Sequence, residues 1–380
     1  MSDIELHRHL IGRQGSRQAL NTPVMVLDRD ALQRNIDTMA AFARDYRLAL
    51  RPHAKTHKST DIARLQLEAG AVGVCCAKLG EAEALAEAGI GAILITSPVV
   101  TPQAIDRLVA LHALVSDLRV VADHPGNVDA LAAALAGAER PLTVLVDIDP
   151  GIRRTGVASA EAAVALAQQI AAHPELRYAG IQYYCGVQQH IESFAERRTA
   201  IEERTAYLGQ IIEVLTGAGL APEVITGGGT GTHAIDAALG VLTELQAGSY
   251  VFMERQYSDC DLNGAGPGAA PFETALFVDA RVISANAASM ATIDAGFKAL
   301  STDGGSPSIV AGAPAKAAFV FMGDEHGALV APDHVFELGE LVTLTAPHCD
   351  PTVNLYDAYH VVRDETLIDI WPVTARGRSR

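Results

Sequence analysis

The chemistry most readily available to this chain lies in the octapeptide Arg51-Pro52-His53-Ala54-Lys55-Thr56-His57-Lys58. A lysine amine condenses with an aldehyde only in its neutral form, and its ordinary pKa is ~10.4. Cations beside Lys55, among them His53, His57, Lys58 and Arg154, would favour that neutral form. The only lysines are Lys55, Lys58, Lys78, Lys298 and Lys316, so the candidates for amine chemistry are few. By itself the octapeptide also fits a basic, solvated loop.

A second constellation is glycine-rich. Thr226-Gly227-Gly228-Gly229-Thr230-Gly231 and Gln246-Ala247-Gly248-Ser249-Tyr250 offer backbone N–H groups with little side chain in the way, and hydroxyls at Thr230 and Ser249. Such segments let a phosphate come close to the backbone, although a triple glycine alone fits a tight turn equally well. A third is Pro347-His348-Cys349-Asp350. In an extended segment residues i and i+2 face the same way, which would project His348 and Asp350 together as a ligand pair and turn Cys349 away. A lone His-x-Asp is weak evidence, since surface pairs of this kind are frequent.

These segments need elements to hold them. After an opening strand at 22–27 and an amphipathic helix at 30–46 come eight short apolar runs: 48–52, 72–76, 92–96, 119–122, 143–148, 178–184, 223–226 and 244–252. Most are separated by Ala/Leu/Glu-rich segments of helical period, such as 80–88 and 160–172. Eight β-then-α units in this length predict a closed (β/α)8 TIM-like barrel, with an open Rossmann-type sheet as the alternative. Barrel functional groups lie where strands exit into loops. The predicted exits carry Lys55, Arg154, Tyr184 with His190 just beyond, the triple glycine, and Gln246 to Tyr250. Phosphate is frequently bound after the seventh and eighth barrel strands, where the two glycine segments fall. Beyond about residue 268 helical period fades, and β-rich runs at 275–284, 288–294, 318–322, 341–344 and 358–362 alternate with Gly and Pro. The expected division is a barrel over 22–268 and a mainly β domain formed by 1–21 and 269–380.

With 49% apolar and 19% charged residues, the composition is that of a packed enzyme. The net charge of −16 argues against a nucleic-acid partner. No apolar run approaches the ~20 residues of a membrane helix, and residues 1–20 lack a secretory h-region. The cysteines, Cys75, Cys76, Cys185, Cys260 and Cys349, are odd in number and lack CxxC spacing, so free thiols in a reducing cytoplasm are expected. Cys75 and Cys76 read as buried, small and apolar.

The segments TPVMVLD, PHAKTHK, VGVCCAKLGEAEAL, DPGIRRTGV, GIQYYCG, ITGGGTGT, TELQAGSYVFM and PHCDPTVNLYD, in this order from residue 22 onward, resemble the D-threonine aldolase / D-serine dehydratase-like family. These are fold-type III pyridoxal-phosphate enzymes with an alanine-racemase-like barrel. The resemblance implies that Lys55 carries the cofactor and that Arg154 lies beside its phenolic oxygen, with Tyr184 packed near it. It places Gly228, Gly229, Thr230, Gly248, Ser249 and Tyr250 around the phosphate. Gln246 matches a position where alanine racemases set an arginine against the ring nitrogen, and an uncharged amide donating there would make a weaker electron sink.

The same resemblance makes His348 and Asp350 the metal ligands. Dehydratase members carry His-x-Cys there, suited to zinc, whereas the hard oxygen of Asp350 suits manganese or magnesium. The implied reaction is retro-aldol cleavage of a D-3-hydroxy-amino acid, such as D-threonine to glycine and acetaldehyde. His190 is the candidate base, its alternative being a solvent-facing histidine at a helix start. A 3-hydroxy-D-aspartate aldolase is an alternative within the same chemistry, and a D-serine or 3-hydroxyaspartate dehydratase a rival to it. A non-catalytic cofactor carrier and a cofactor-free barrel enzyme lie further off. The family likeness also implies a homodimer.

Overall fold

A computed structural model describes residues 3–266 and 269–380; the domain boundary expected at 268 lies outside the described residues. Strand β1 (Val24–Asp28) leads into a helix, Arg29–Asp45, whose first turn is capped by the Asp28 carboxylate on the N–H groups of Asp30 and Ala31. The parallel strands β2 (Ala49–Leu50), β3 (Val74–Cys76), β4 (Ala92–Ile95) and β5 (Asp117–Ala122) follow. They continue with β6 (Leu142–Ile148), β7 (Leu176–Tyr183), β8 (Val224–Gly227) and β9 (Glu244–Leu245). Every residue of β6 is buried, as expected for a strand covered on both faces.

The eight parallel strands run β2-β9-β8-β7-β6-β5-β4-β3. Hydrogen bonds from Val72 N to Leu50 O, Cys75 N to Pro52 O and Ala54 N to Cys75 O, each 2.8 Å, tie β2 to β3. The sheet closes on itself, which excludes the open alternative. All eight expected runs overlap a barrel strand, but the last is strand only over Glu244–Leu245; its remainder turns through Ser249–Val251 as a 3-10 helix.

The second sheet is mostly antiparallel. It comprises β1 with β10 (Leu276–Ala287), β11 (Met290–Ile293), β12 (Ser308–Ala311), β13 (Ala318–Phe321), β14 (Gly327–Val330), β15 (Leu341–Thr345), β16 (Ala358–Arg363) and β17 (Thr366–Pro372). Grouping 22–27 with the barrel is therefore corrected for β1, which pairs antiparallel with β10 and parallel with β16. A wholly apolar strand reads alike in either sheet; only its distant partners distinguish them. Helix Asp3–His7 and two 3-10 turns pack on this sheet through Leu10 and Leu20.

The second sheet also grips the barrel mouth. Tyr359 on β16 donates to the His57 carbonyl at 2.5 Å, Ala375 N donates to Lys58 O at 2.9 Å, and the Thr60 and Thr374 hydroxyls meet at 3.0 Å. The loop carrying Lys55 is thus clamped from both sides.

Candidate active site

Lys55 stands at the exit of β2 in a cavity of about 580 Å³, whose wall includes Lys78, Arg154, Tyr184, Gln246 and Tyr257. Its ammonium makes an ion pair with Asp350. Burial disfavours the charge, but Asp350 and Tyr184 outweigh it and hold the Lys55 pKa above the ordinary lysine value. The expectation that neighbouring cations neutralise Lys55 is thereby corrected. His53 and His57 are buried and their pKa values are driven down, that of His57 to about 4, so neither brings positive charge. Lys58 is turned away onto Glu81 at 2.5 Å.

The two glycine segments meet at the cavity. Gly229, Thr230, Gly248 and Ser249 line the cavity. The Thr230 hydroxyl accepts from Tyr250 N at 3.0 Å and staples the two loops together. A Cβ at Gly229 would come within 2.5 Å of Gln189 Oε1, and one at Gly248 within 2.7 Å of Thr56 Oγ1, so a side chain at either position would displace its neighbour. The backbone N–H groups of Thr230, Gly248 and Ser249 find no acceptor among the described residues, which fits an anion resting there. Gly228 and Tyr250 are not on the cavity wall. Gly228 supplies the turn with φ of +68°, while Tyr250 is fully buried with its hydroxyl accepting from Gln66 Nε2.

Arg154 lies over the Tyr184 ring, its guanidinium carbon 5.5 Å from the centroid. Gln246 belongs to a buried chain inside the barrel. Asp147 accepts from Gln182 Nε2 at 2.9 Å, Gln182 Oε1 accepts from Gln246 Nε2 at 3.3 Å, and Gln246 Nε2 also donates to Thr226 Oγ1 at 3.0 Å. The Thr96 carbonyl, which can only accept, takes a Gln182 amide hydrogen and fixes the direction of the chain. The donor expected from Gln246 toward a ligand is therefore already engaged, and its carbonyl oxygen is the atom left to offer.

His348 and Asp350 converge, together with a residue the sequence reading did not select, Glu254. Ligand-capable atoms of the three lie within 4.8 Å of one another. The route differs from the expected strand alternation: His348 is extended (φ −140°) and caps a short helix, Cys349–Val353, whose first turn carries Asp350. Glu254 Oε2 accepts from Cys349 N at 2.5 Å and pins this turn. The His348 Nδ1 contacts Asp303 Oδ2 at 2.8 Å, leaving Nε2 for a ligand. Glu254 Oε1 and Asp350 Oδ1 are buried oxygens without a hydrogen-bond partner among the described residues. Uncompensated carboxylate oxygens beside an oriented imidazole fit a hard divalent cation. Burial and the nearby Asp350 push Glu254 up to about 7; Asp350, despite burial, is held at about 2 by Lys55 and His348. No local pattern marks Glu254, because only its burial against the distant turn at 349 gives it this role.

His190 ends a 3-10 turn, Val187–His190, and its ring lies 4.5 Å from that of Tyr257 on the cavity wall. His190 itself is exposed and does not line the cavity; partial burial, then the nearby His348 and Lys55, lower its pKa.

This arrangement can be set beside known proteins. Residues 27–256 match the family profile described as alanine racemase, N-terminal domain, and residues 275–362 match a serine dehydratase domain. The chain belongs to the D-threonine aldolase / D-serine dehydratase-like family. It is 39% identical to a 3-hydroxy-D-aspartate aldolase of Paracoccus denitrificans (strain Pd 1222), covering 95% of this chain and 93% of that one. A D-threonine aldolase of Arthrobacter sp is also 39% identical, over 95% and 94%. The crystal structure of D-threonine aldolase from Filomicrobium marinum superposes with a TM-score of 0.90 at 38% identity, covering 96% of this chain and 97% of that chain. Members of this family with known activity include lyases acting through the alanine-racemase-like barrel found here.

Proposed function

We propose that this protein cleaves D-3-hydroxy-amino acids, D-threonine or 3-hydroxy-D-aspartate, to glycine and an aldehyde. The observation that carries the proposal is the meeting of Lys55 with Asp350, which sets the amine of the cavity wall against a hard-oxygen ligand set. The cofactor is pyridoxal phosphate on Lys55, and the cation, manganese or magnesium, sits at His348 and Asp350. When bound, these two supply a conjugated sink for the electron pair of the Cα–Cβ bond and a Lewis acid for the 3-hydroxyl.

The chain's own residues do the rest. Gly229, Thr230, Gly248 and Ser249 hold the phosphate, with Gly228 shaping the turn and Tyr250 anchoring it from the core. Arg154 would meet the phenolic oxygen, and Tyr184, beneath the Arg154 guanidinium on the same wall, would pack beside the cofactor. His190, near the ligand turn and with its pKa lowered, takes the 3-hydroxyl proton as the carbonyl of the aldehyde forms. Glu254 steadies the ligand turn through Cys349 N. Engagement of Lys55 by the cofactor would release Asp350 Oδ2 for the cation. Gln246, offering a carbonyl oxygen, would hold the ring nitrogen in its protonated form, a stronger sink than a donated amide hydrogen would give.

The β-rich part exposes Val310, Val320, Met322, Val335 and Leu338, and a homodimer is the assembly that the family likeness implies. Five free cysteines, all buried, accord with a cytoplasmic setting. No helix among the described residues is long and apolar enough to cross a membrane. We take 22–268, less β1, as the cofactor-binding region and the remainder as the β domain bearing the metal ligands.

The test is product analysis with D-threonine and 3-hydroxy-D-aspartate. The proposal expects glycine and an aldehyde in equal amounts, lost on chelation and restored by manganese. Ammonia and an oxo acid would instead identify a dehydratase.

A further inference from the structure

We infer that Lys78 reads a second carboxylate on the substrate, so that this site favours 3-hydroxy-D-amino acids whose side chain ends in an acid. The inference rests on the cleavage reaction proposed above and names the class of substrate within it. Lys55, Lys78 and Arg154 are the lysine and arginine side chains that line the cavity. Lys55 is matched by Asp350, and Arg154 is spread over the Tyr184 ring. Lys78 has neither an acidic partner nor a side-chain hydrogen bond among the described residues, whereas Lys58 and Lys298 pair with Glu81 and Glu325.

The base of Lys78 is nevertheless held firmly. It caps the helix Leu79–Glu87 at the exit of β3, and Glu81 Oε2 accepts from Ala77 N at 2.8 Å and from Lys78 N at 3.2 Å. A fixed backbone presents an exposed ammonium to the cavity, beside the small and apolar wall of Ala77, Ser97, Pro98 and Val100. Asp123 also lines the cavity, with Oδ2 accepting from Gly156 N at 3.0 Å. A net charge of −16 gives the whole chain a field that repels a substrate bearing two carboxylates. A local ammonium without a partner offsets that repulsion where the side chain must lie. The methyl group of threonine gives the ammonium nothing to bind.

The experiment compares wild type, Lys78→Gln and Lys78→Arg, all loaded with cofactor and manganese, on 3-hydroxy-D-aspartate and D-threonine. Loss of one charge-assisted hydrogen bond predicts that the ratio of kcat/KM for 3-hydroxy-D-aspartate over D-threonine falls about 10- to 100-fold in Lys78→Gln, carried by KM. Lys78→Arg should keep most of the ratio. Parallel loss on both substrates, or an unchanged ratio, overturns the inference. A second measurement is independent of cleavage: D-aspartate and D-alanine, which lack a 3-hydroxyl, are titrated against the cofactor absorbance. Wild type should bind D-aspartate more tightly, and Lys78→Gln should lose that preference; equal preference in the two proteins overturns the role of Lys78. If wild type cleaves neither hydroxy-amino acid yet the titration behaves as expected, the proposed reaction fails while the carboxylate site stands.

Discussion

Substitution Glu81→Gln tests how the Lys55 loop is held. Glu81 and Lys58 retain 4% and 9% of their side-chain exposure, so their pairing at 2.5 Å is a buried one. The other Glu81 oxygen accepts the N–H groups of Ala77 and Lys78. A glutamine has one carbonyl oxygen for these two duties, and its amide hydrogens must face whichever donors remain. Leaving a buried ammonium unmatched costs about 3–5 kcal/mol. Lys58 also takes φ of +48° three residues beyond Lys55, so the slack would reach the cofactor lysine. The assay is urea denaturation of the variant beside wild type, with cofactor retention read from visible absorbance. We expect a loss of about 3–5 kcal/mol, largely recovered in the double variant Lys58→Met with Glu81→Gln, which removes the unmatched ammonium while the glutamine carbonyl still accepts from Ala77 N and Lys78 N. A loss below about 1 kcal/mol, the worth of an exposed pair, would refute the reasoning. So would a double variant no better than the single one.

Other expectations concern the cradle, the base and the N-terminal lock. Gly248→Ala would set a Cβ 2.7 Å from Thr56 Oγ1, so cofactor affinity should fall about tenfold or more, measured by equilibrium titration. His190→Ala should keep the cofactor absorbance while kcat falls about 10²- to 10⁴-fold; an unchanged kcat removes His190 from the mechanism. His7 Nδ1 meets His360 Nε2 at 2.7 Å, and His7 Nε2 accepts from Asn21 N at 3.0 Å, a geometry for neutral rings. Burial lowers both pKa values, that of His360 to about 4. Their contribution is present above the unfolded pKa of about 6.5 and lost as pH falls from there toward 4. The thermal midpoint of wild type should therefore drop more steeply between pH 7 and 5 than that of His360→Gln; parallel profiles would contradict the linkage.

Much of the barrel was legible because parallel strands buried on both faces read as short apolar runs, and each of the eight appeared as one. What stayed hidden depends on partners far along the chain. The membership of β1 in the second sheet is fixed by β10 and β16, about 250 and 330 residues away, and its own apolar residues suit either sheet. Strands β12, β14 and β17 were passed over because they are short, half-exposed or interrupted in pattern. At the site, residue type and spacing made Lys55, the glycine loops and the His348/Asp350 pair candidates only, and the family resemblance singled them out. Glu254 did not, since a single acid after an apolar run carries no mark of burial. The pairing of Lys55 with Asp350 crosses 295 positions, and that contact reverses the charge environment inferred from the octapeptide alone. Gln246 lines the cavity, but its donor direction is set by Gln182 on β7 and by Thr96 just past β4, which local sequence does not reveal.

Reduction of the cofactor-loaded protein with borohydride, followed by peptide mapping by mass spectrometry, tests the central claim most directly. The account predicts a single pyridoxyl-phosphate adduct on Lys55, with Lys58 and Lys78 unmodified. An adduct on another lysine, or none on a protein that still cleaves its substrate, would contradict it.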